Sequence, residues 1–259
     1  IGAIRKFFQE MVMVGDVVSY GARLVFLGGE NGGKTSLQQG LRAGKADPAR
    51  HGESTIHFDV HEWMLGEGAK QMHLSVYDLA SYRLSQPNIA SCVTEGTLIM
   101  LTVPALDVAV LTANYDDYLG HWLRCLQINA PNAVVMPVLT KCDLCANNGP
   151  SGAEHRTPSA YASFASKQVA WLTEALERYI KDDGGKLNIL FPVQCTSAIS
   201  GGDASIDGLK TRVNSVIFAE GGSVLPSVYQ AITRTVYLST VFLRALRDGR
   251  EPIDSARTA

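Results

Sequence analysis

Residues 22–36 read Ala-Arg-Leu-Val-Phe-Leu-Gly-Gly-Glu-Asn-Gly-Gly-Lys-Thr-Ser, and this order decides the fold. The apolar run Leu24 to Leu27 stops at Gly28 and Gly29, as a buried strand does when it meets a glycine turn. Beyond the turn, Leu37 and Leu41 stand four apart, which predicts a helix over Lys34 to Ala43. Between strand and helix, Gly28-Gly29-Glu30-Asn31-Gly32-Gly33-Lys34-Thr35 satisfies G-x-x-x-x-G-K-[ST]. Glycines let a backbone wrap closely round a phosphate, so that successive N–H groups converge on its oxygens. The helix that follows adds its positive N-terminal end. The pattern therefore implies a polyphosphate site over Gly28 to Ser36, with Lys34 bridging the β- and γ-phosphates and Thr35 giving its hydroxyl to Mg²⁺. Glu30 is expected to point its side chain to solvent while its N–H serves the loop. A glycine-rich turn with a chance Lys-Thr is the bland alternative; the placement between strand and helix argues against it.

Working outward, further strands are readable at 58–63, 74–78, 98–103, 134–139 and 189–193, making six with the first. Helical patterns fall between them at 113–129, 160–181 and 204–218. Strands alternating with helices predict an α/β fold: a mostly parallel six-stranded sheet with helices on both faces. Ahead of it, Ile4, Phe7, Phe8, Met11 and Val12 lie at helical spacing, so residues 1–20 are expected to form a lead-in helix. Residues 145–159, with Asn147, Asn148, Gly149, Pro150 and Gly152, predict a surface loop. Gly221, Gly222 and Pro226 mark a boundary, after which Leu225, Val228, Ile232, Val236, Leu243 and Leu246 suggest an apolar stripe on a last helix.

The composition, 46% hydrophobic and 19% charged, suits a globular domain and argues against disorder. A net charge of -2 without a long basic run gives no footprint for nucleic acid or an anionic membrane surface. Charge interrupts every apolar stretch within about 18 residues, so no transmembrane helix is expected. Five cysteines at irregular spacing suit reduced thiols, hence a cytoplasmic location. A start at Ile1 reads as a piece of a longer polypeptide.

Three more pieces follow the phosphate loop. Leu74 and Val76 lead to Asp78, a strand-end acid expected to hold Mg²⁺ through a water. Thr140-Lys141-Cys142-Asp143 follows the strand ending at Leu139. A carboxylate accepts both N1–H and N2–H₂ of guanine, and adenine has no such donor pair, so Asp143 implies guanine and disfavours an ATPase. Lys141 is expected to lie along the base with its alkyl stem. Thr196-Ser197-Ala198 follows the last strand, where a backbone N–H could reach guanine O6.

The four pieces in this order resemble the Ras superfamily of P-loop GTPases. Several details are similar to the Roc domain of Roco proteins, the group that includes the leucine-rich-repeat kinases. These are the lead-in Gly2 to Phe8, the loop Glu30 to Ser36, the run Thr55 through Trp63, and a Thr at position 140. The likeness implies a lead-in at 1–20, a Roc GTPase domain over 21–220, and the start of a COR-like segment or linker helix over 221–259. It implies that Thr55 is the switch threonine meeting Mg²⁺ and the γ-phosphate, and that Thr140 belongs to the base site. It also implies guanine nucleotide, neighbouring domains of the same polypeptide and a second copy of the chain as partners. Two positions depart from the superfamily pattern. Ser81 replaces the usual glycine of the second switch; its N–H can still meet a γ-phosphate, but its Cβ restricts the backbone. Tyr82 stands where small GTPases carry a water-orienting Gln, and a phenol cannot polarise water as an amide does. Slow intrinsic hydrolysis is therefore expected, with a non-cycling nucleotide-binding scaffold as the alternative.

Two other patterns are set aside. His57, Asp59 and His61 on one strand span about 13 Å, too far for ligands that each sit about 2 Å from one ion. Cys142-x-x-Cys145 has no second pair. Trp63, Trp122 and Trp171 are expected to be core aromatics.

Overall fold

A computed structural model describes residues 16–43, 59–65, 72–78, 93, 97–146, 157–182, 186–198, 203–219, 223–225, 229–233 and 243. Contacts divide the chain into two units, Ala22–Ser227 and Ile1–Gly21 with Val228–Ala259.

Strand β1 (Asp16–Gly28) belongs to the larger unit from Ala22 onward; with β2 (Asp59–Leu65), β3 (Met72–Asp78), β4 (Thr97–Pro104), β5 (Val134–Thr140) and β6 (Asn188–Ile189) it lies in the order β2-β3-β1-β4-β5-β6. The β1–β4 and β4–β5 ladders are parallel, with Leu24 opposite Leu98 and Leu98 opposite Val134. The edge pair β2–β3 is antiparallel. Every residue of β4 and β5 is buried, which is why both read as unbroken apolar runs: parallel strands covered on both faces have no wet side. The mostly parallel sheet predicted from the sequence is present.

The strand expected at 189–193 is split into β6 and β7 (Gln194–Cys195), both parallel to β5. Pro192 has no N–H to give a ladder and falls in the gap. The helix α1 (Lys34–Ala43) has the expected bounds. The helix expected at 113–129 is instead α2 (Val108–Ala113), a π-helical turn at Asp116–Gly120, and α3 (His121–Asn129). The pattern at 160–181 divides into α4 (Pro158–Phe164) and α5 (Ser166–Asp182), with Ala165 closing α4. Thr157 caps α4 by accepting the N–H of Ala160 at 3.2 Å, and Pro158 suits its first turn. Last comes α6 (Ala204–Ile217), capped by Asp203. Trp122 is buried in the core, Trp63 meets Phe26 edge-on at 6.4 Å, and Trp171 is half-buried against Tyr115.

The smaller unit corrects two expectations. Asp16–Tyr20, within the stretch expected to be a lead-in helix, is the first part of β1. It pairs antiparallel with β8 (Tyr229–Thr233), Asp16 opposite Thr233 and Tyr20 opposite Tyr229. Residues 229–233 were expected on a helix, but Tyr, Ile and Thr favour an extended pleat once a partner strand is present. Leu225, which belongs to the larger unit, is fully buried. Residues 1–15 and most of the stripe after Thr233 lie outside the described residues, as do 147–156 of the expected loop.

Candidate nucleotide site

The loop between β1 and α1 is held by what surrounds it. Leu24 to Leu27 are fully buried, so the strand end cannot shift. Gly28 has φ 147°, and a Cβ there would overlap the Thr102 carbonyl. Gly33 has φ 80°, and its Cβ would come 3.1 Å from Thr140 Oγ1. Both positions need glycine for conformation and for space. Asn31 takes the left-handed region at φ 55°, which an Asn tolerates. Glu30 and Asn31 are exposed, as expected for Glu30, while Gly32 is buried. The Leu37 N–H donates to Gly33 O at 2.8 Å, which starts the helix directly at the loop.

Lys34 is 5% exposed, and its Nζ donates to Gly28 O at 3.1 Å and Gly29 O at 3.0 Å. Burial lowers its pKa to about 8, against the opposing pull of Asp78 and Glu30. An ammonium held across the loop mouth is placed to meet an anion there. Thr35 Oγ1 donates to Asp78 Oδ2 at 2.6 Å, and Asp78 is 2% exposed. The two residues expected at a Mg²⁺ thus meet, although they are 43 positions apart. A hydroxyl and a carboxylate are the oxygen donors that a hard cation takes, so the pair fits that ion. Ser36 follows, half-buried on the first turn of α1.

The base side is built at the end of β5. Lys141 takes φ 58° and leads into a 3₁₀ turn, Cys142–Ala146. Half-burial lowers the Lys141 pKa, with Asp143 pulling the other way. Asp143 Oδ1 is buried and accepts no hydrogen bond among the described residues. A buried carboxylate oxygen without a donor is costly, and a purine edge bearing N–H groups would satisfy it. Thr140 Oγ1 donates to Gly32 O at 2.7 Å, across 108 positions. This hydroxyl does not wait for ligand; it ties the base turn to the phosphate loop.

Thr196 to Ala198 closes the other side. Thr196 N donates to Leu139 O at 2.9 Å, and Cys142 N donates to Thr196 O at 3.1 Å, so the two base-side segments are laced together. Ala198 lies over α1, where a Cβ on Gly40 would come 3.3 Å from the Ala198 Cβ. Gly28 to Ser36, Asp78, Thr140, Lys141, Asp143, Ser197 and Ala198 therefore gather round one end of the sheet, at the C-terminal ends of β1, β3, β5 and β7. Ligands bind at this end of open α/β sheets. Thr55, Ser81 and Tyr82 lie outside the described residues.

Sequence reasoning missed Thr102, Tyr161, Asp203 and Ser205. Thr102 Oγ1 donates to Leu27 O at 3.0 Å beneath the loop. Tyr161 donates to Asp203 Oδ2 at 2.8 Å, and Ser205 Oγ accepts from Ser197 N at 3.2 Å. Only Asp203 carried a local signal, an Asp just before an apolar helical pattern.

Residues 23–143 match the family model described as Ras of Complex, Roc, domain of DAPkinase. Among solved structures, the fold is similar to that of Methanosarcina barkeri Roco2 RocCORdC bound to GDP. The identity is 11%, the TM-score 0.57, and the alignment covers 91% of this chain. It covers 59% of that chain, so the present sequence spans about three fifths of its length. No curated protein matches. Among the described residues, no helix is long and apolar enough to cross a membrane.

Proposed function

With residues 23–143 matching the Roc family, we propose that this chain binds GDP and GTP and hydrolyses GTP slowly, as a regulatory switch within a larger multidomain protein. The observation that carries this reading is the 2.7 Å bond from Thr140 Oγ1 to Gly32 O, because it holds the anion loop and the Asp143 turn on one scaffold. Polyphosphate then lies among the amides of Glu30 to Ser36 with Lys34 between the β- and γ-phosphates. Asp143 accepts the N1–H and N2–H₂ of guanine, Lys141 lies along the ring, and the Ala198 N–H donates to O6. Thr35 and Asp78, joined by Thr55, are the residues to hold Mg²⁺, which supplies positive charge against the phosphate oxygens. A solved structure of similar fold carries GDP, and this supports the choice of nucleotide.

Slow turnover rests on Ser81 and Tyr82, which replace a flexible glycine and a water-orienting amide. The order of Thr55 and Ser81 would report the γ-phosphate, as in switch GTPases. In this reading 21–220 is the GTPase domain and 221–259 begins a COR-like segment. The protein works in the cytoplasm, against its own neighbouring domains and a second copy of itself. A non-cycling scaffold that binds GDP or GTP without turning it over is the second reading, and Tyr82 is the residue that favours it.

Chromatography of nucleotide released from the purified 259-residue chain should show guanine nucleotides; adenine nucleotides would overturn the base assignment. Phosphate release in a single turnover then separates the two readings. Lys34→Ala should abolish nucleotide retention, and undiminished retention would sink the phosphate-loop assignment.

A further inference from the structure

The segment that faces guanine O6 in this reading hangs on a buried network outside all four motif pieces. Asp203 Oδ1 accepts the Ser205 N–H at 2.9 Å and the Ser205 hydroxyl at 2.6 Å. Its Oδ2 accepts the Tyr161 hydroxyl at 2.8 Å. Ser205 Oγ, having given its proton to Asp203, accepts the Ser197 N–H at 3.2 Å. Donation thus runs from Ser197 N–H to Ser205 to the Asp203 carboxylate, with Tyr161 closing the far side. All four residues are at most 4% exposed. Burial, then the bond to Asp203, pushes the Tyr161 phenol above its ordinary pKa, so it stays a donor. A buried carboxylate is tolerated only where donors surround it, and three do so here.

The network has a directional consequence. The Ser197 N–H is drawn inward, while the next amide, that of Ala198, donates to no protein group among the described residues. We propose that Tyr161, Asp203 and Ser205 are positioning residues that orient the Ser197-Ala198 backbone so that the Ala198 N–H reads guanine O6. This rests on the nucleotide reading above and adds to it the source of one specific contact. The three residues come from α4 and from the first turn of α6 with its cap, whereas the contact they set belongs to the loop after β7. The helix cap therefore serves two ends at once: it satisfies the first amides of α6 and anchors the loop that meets the base.

The test compares GDP with 6-thioguanosine 5′-diphosphate, which keeps the N1–H and N2–H₂ edge for Asp143 but replaces O6 by sulfur, a weak acceptor. Dissociation constants for both ligands are measured on the 259-residue chain, on Ser205→Ala and on Tyr161→Phe. The unaltered protein should prefer GDP. Ser205→Ala should shrink that preference by about three- to tenfold, the worth of one hydrogen bond, through weaker GDP binding. Tyr161→Phe, which removes a bond two steps beyond the one between Ser197 N and Ser205, should shrink it by roughly half as many decades. Because the preference is a ratio taken on the same folded protein, general destabilisation cancels. If Ser205→Ala does not fold, the Tyr161→Phe ratio decides. An unchanged preference, or equal weakening of both ligands, overturns the positioning role. Failure of the unaltered chain to bind either ligand overturns the nucleotide reading itself, and the two failures are distinct.

Discussion

Thr140→Val removes one hydrogen-bonding proton at the point where the phosphate loop meets the base turn. Thr140 Oγ1 lies 2.7 Å from Gly32 O; a methyl carbon in its place needs about 3.3 Å from an oxygen. The loop must therefore retreat by roughly 0.6 Å, while the buried Gly32 carbonyl loses its donor. Both partners are buried, so the cost is that of stranding a buried acceptor, about 1–3 kcal/mol. For a unit of this size Tm should fall by about 2–4 °C per kcal/mol. Urea unfolding of the apo protein should give a lower midpoint with an unchanged m-value, and GDP affinity should fall as well, because the displaced loop amides no longer converge. Thr140→Ser keeps the hydroxyl and should recover most of both losses. If Thr140→Val leaves stability and GDP affinity at their original values, the bond is not what couples the two halves of the site, and the reasoning is refuted.

Two further outcomes follow from the site's electrostatics. The Lys34 pKa, lowered to about 8 by burial, should rise when a polyphosphate approaches, so nucleotide affinity should be full below that pH and decline as pH climbs through it, with proton uptake on binding. Calorimetry at alkaline pH in two buffers of different ionisation enthalpy measures that uptake; an affinity flat between about pH 7 and 9.5 would contradict the placement of Lys34 against phosphate. Asp143→Asn replaces two acceptors by one acceptor and one donor, so GDP should bind about ten- to hundredfold more weakly and xanthosine diphosphate better than before; competition between the two diphosphates reads this directly, and a variant that still prefers GDP would remove Asp143 from base recognition.

The sequence by itself determined the parts whose signals are local. The strand Leu24–Leu27, the loop to Thr35, the helix to Ala43 and the acid at Asp78 all lie within patterns that one stretch of chain carries, and each is where it was expected. β4 and β5 were equally readable, because strands covered on both faces must be apolar throughout. Local pattern misjudged the ends: Asp16–Tyr20 and Tyr229–Thr233 are strands because they pair with each other, over two hundred residues apart in the chain. It also missed the π-helical turn at Asp116–Gly120 and the break at Ala165, since apolar spacing continues across both. Only the tertiary structure decided that Thr140 spends its hydroxyl on Gly32, or that Asp203 and Tyr161 meet behind Ser197. A hydrogen bond between residues tens of positions apart depends on how the elements pack, and short-range spacing carries no record of it.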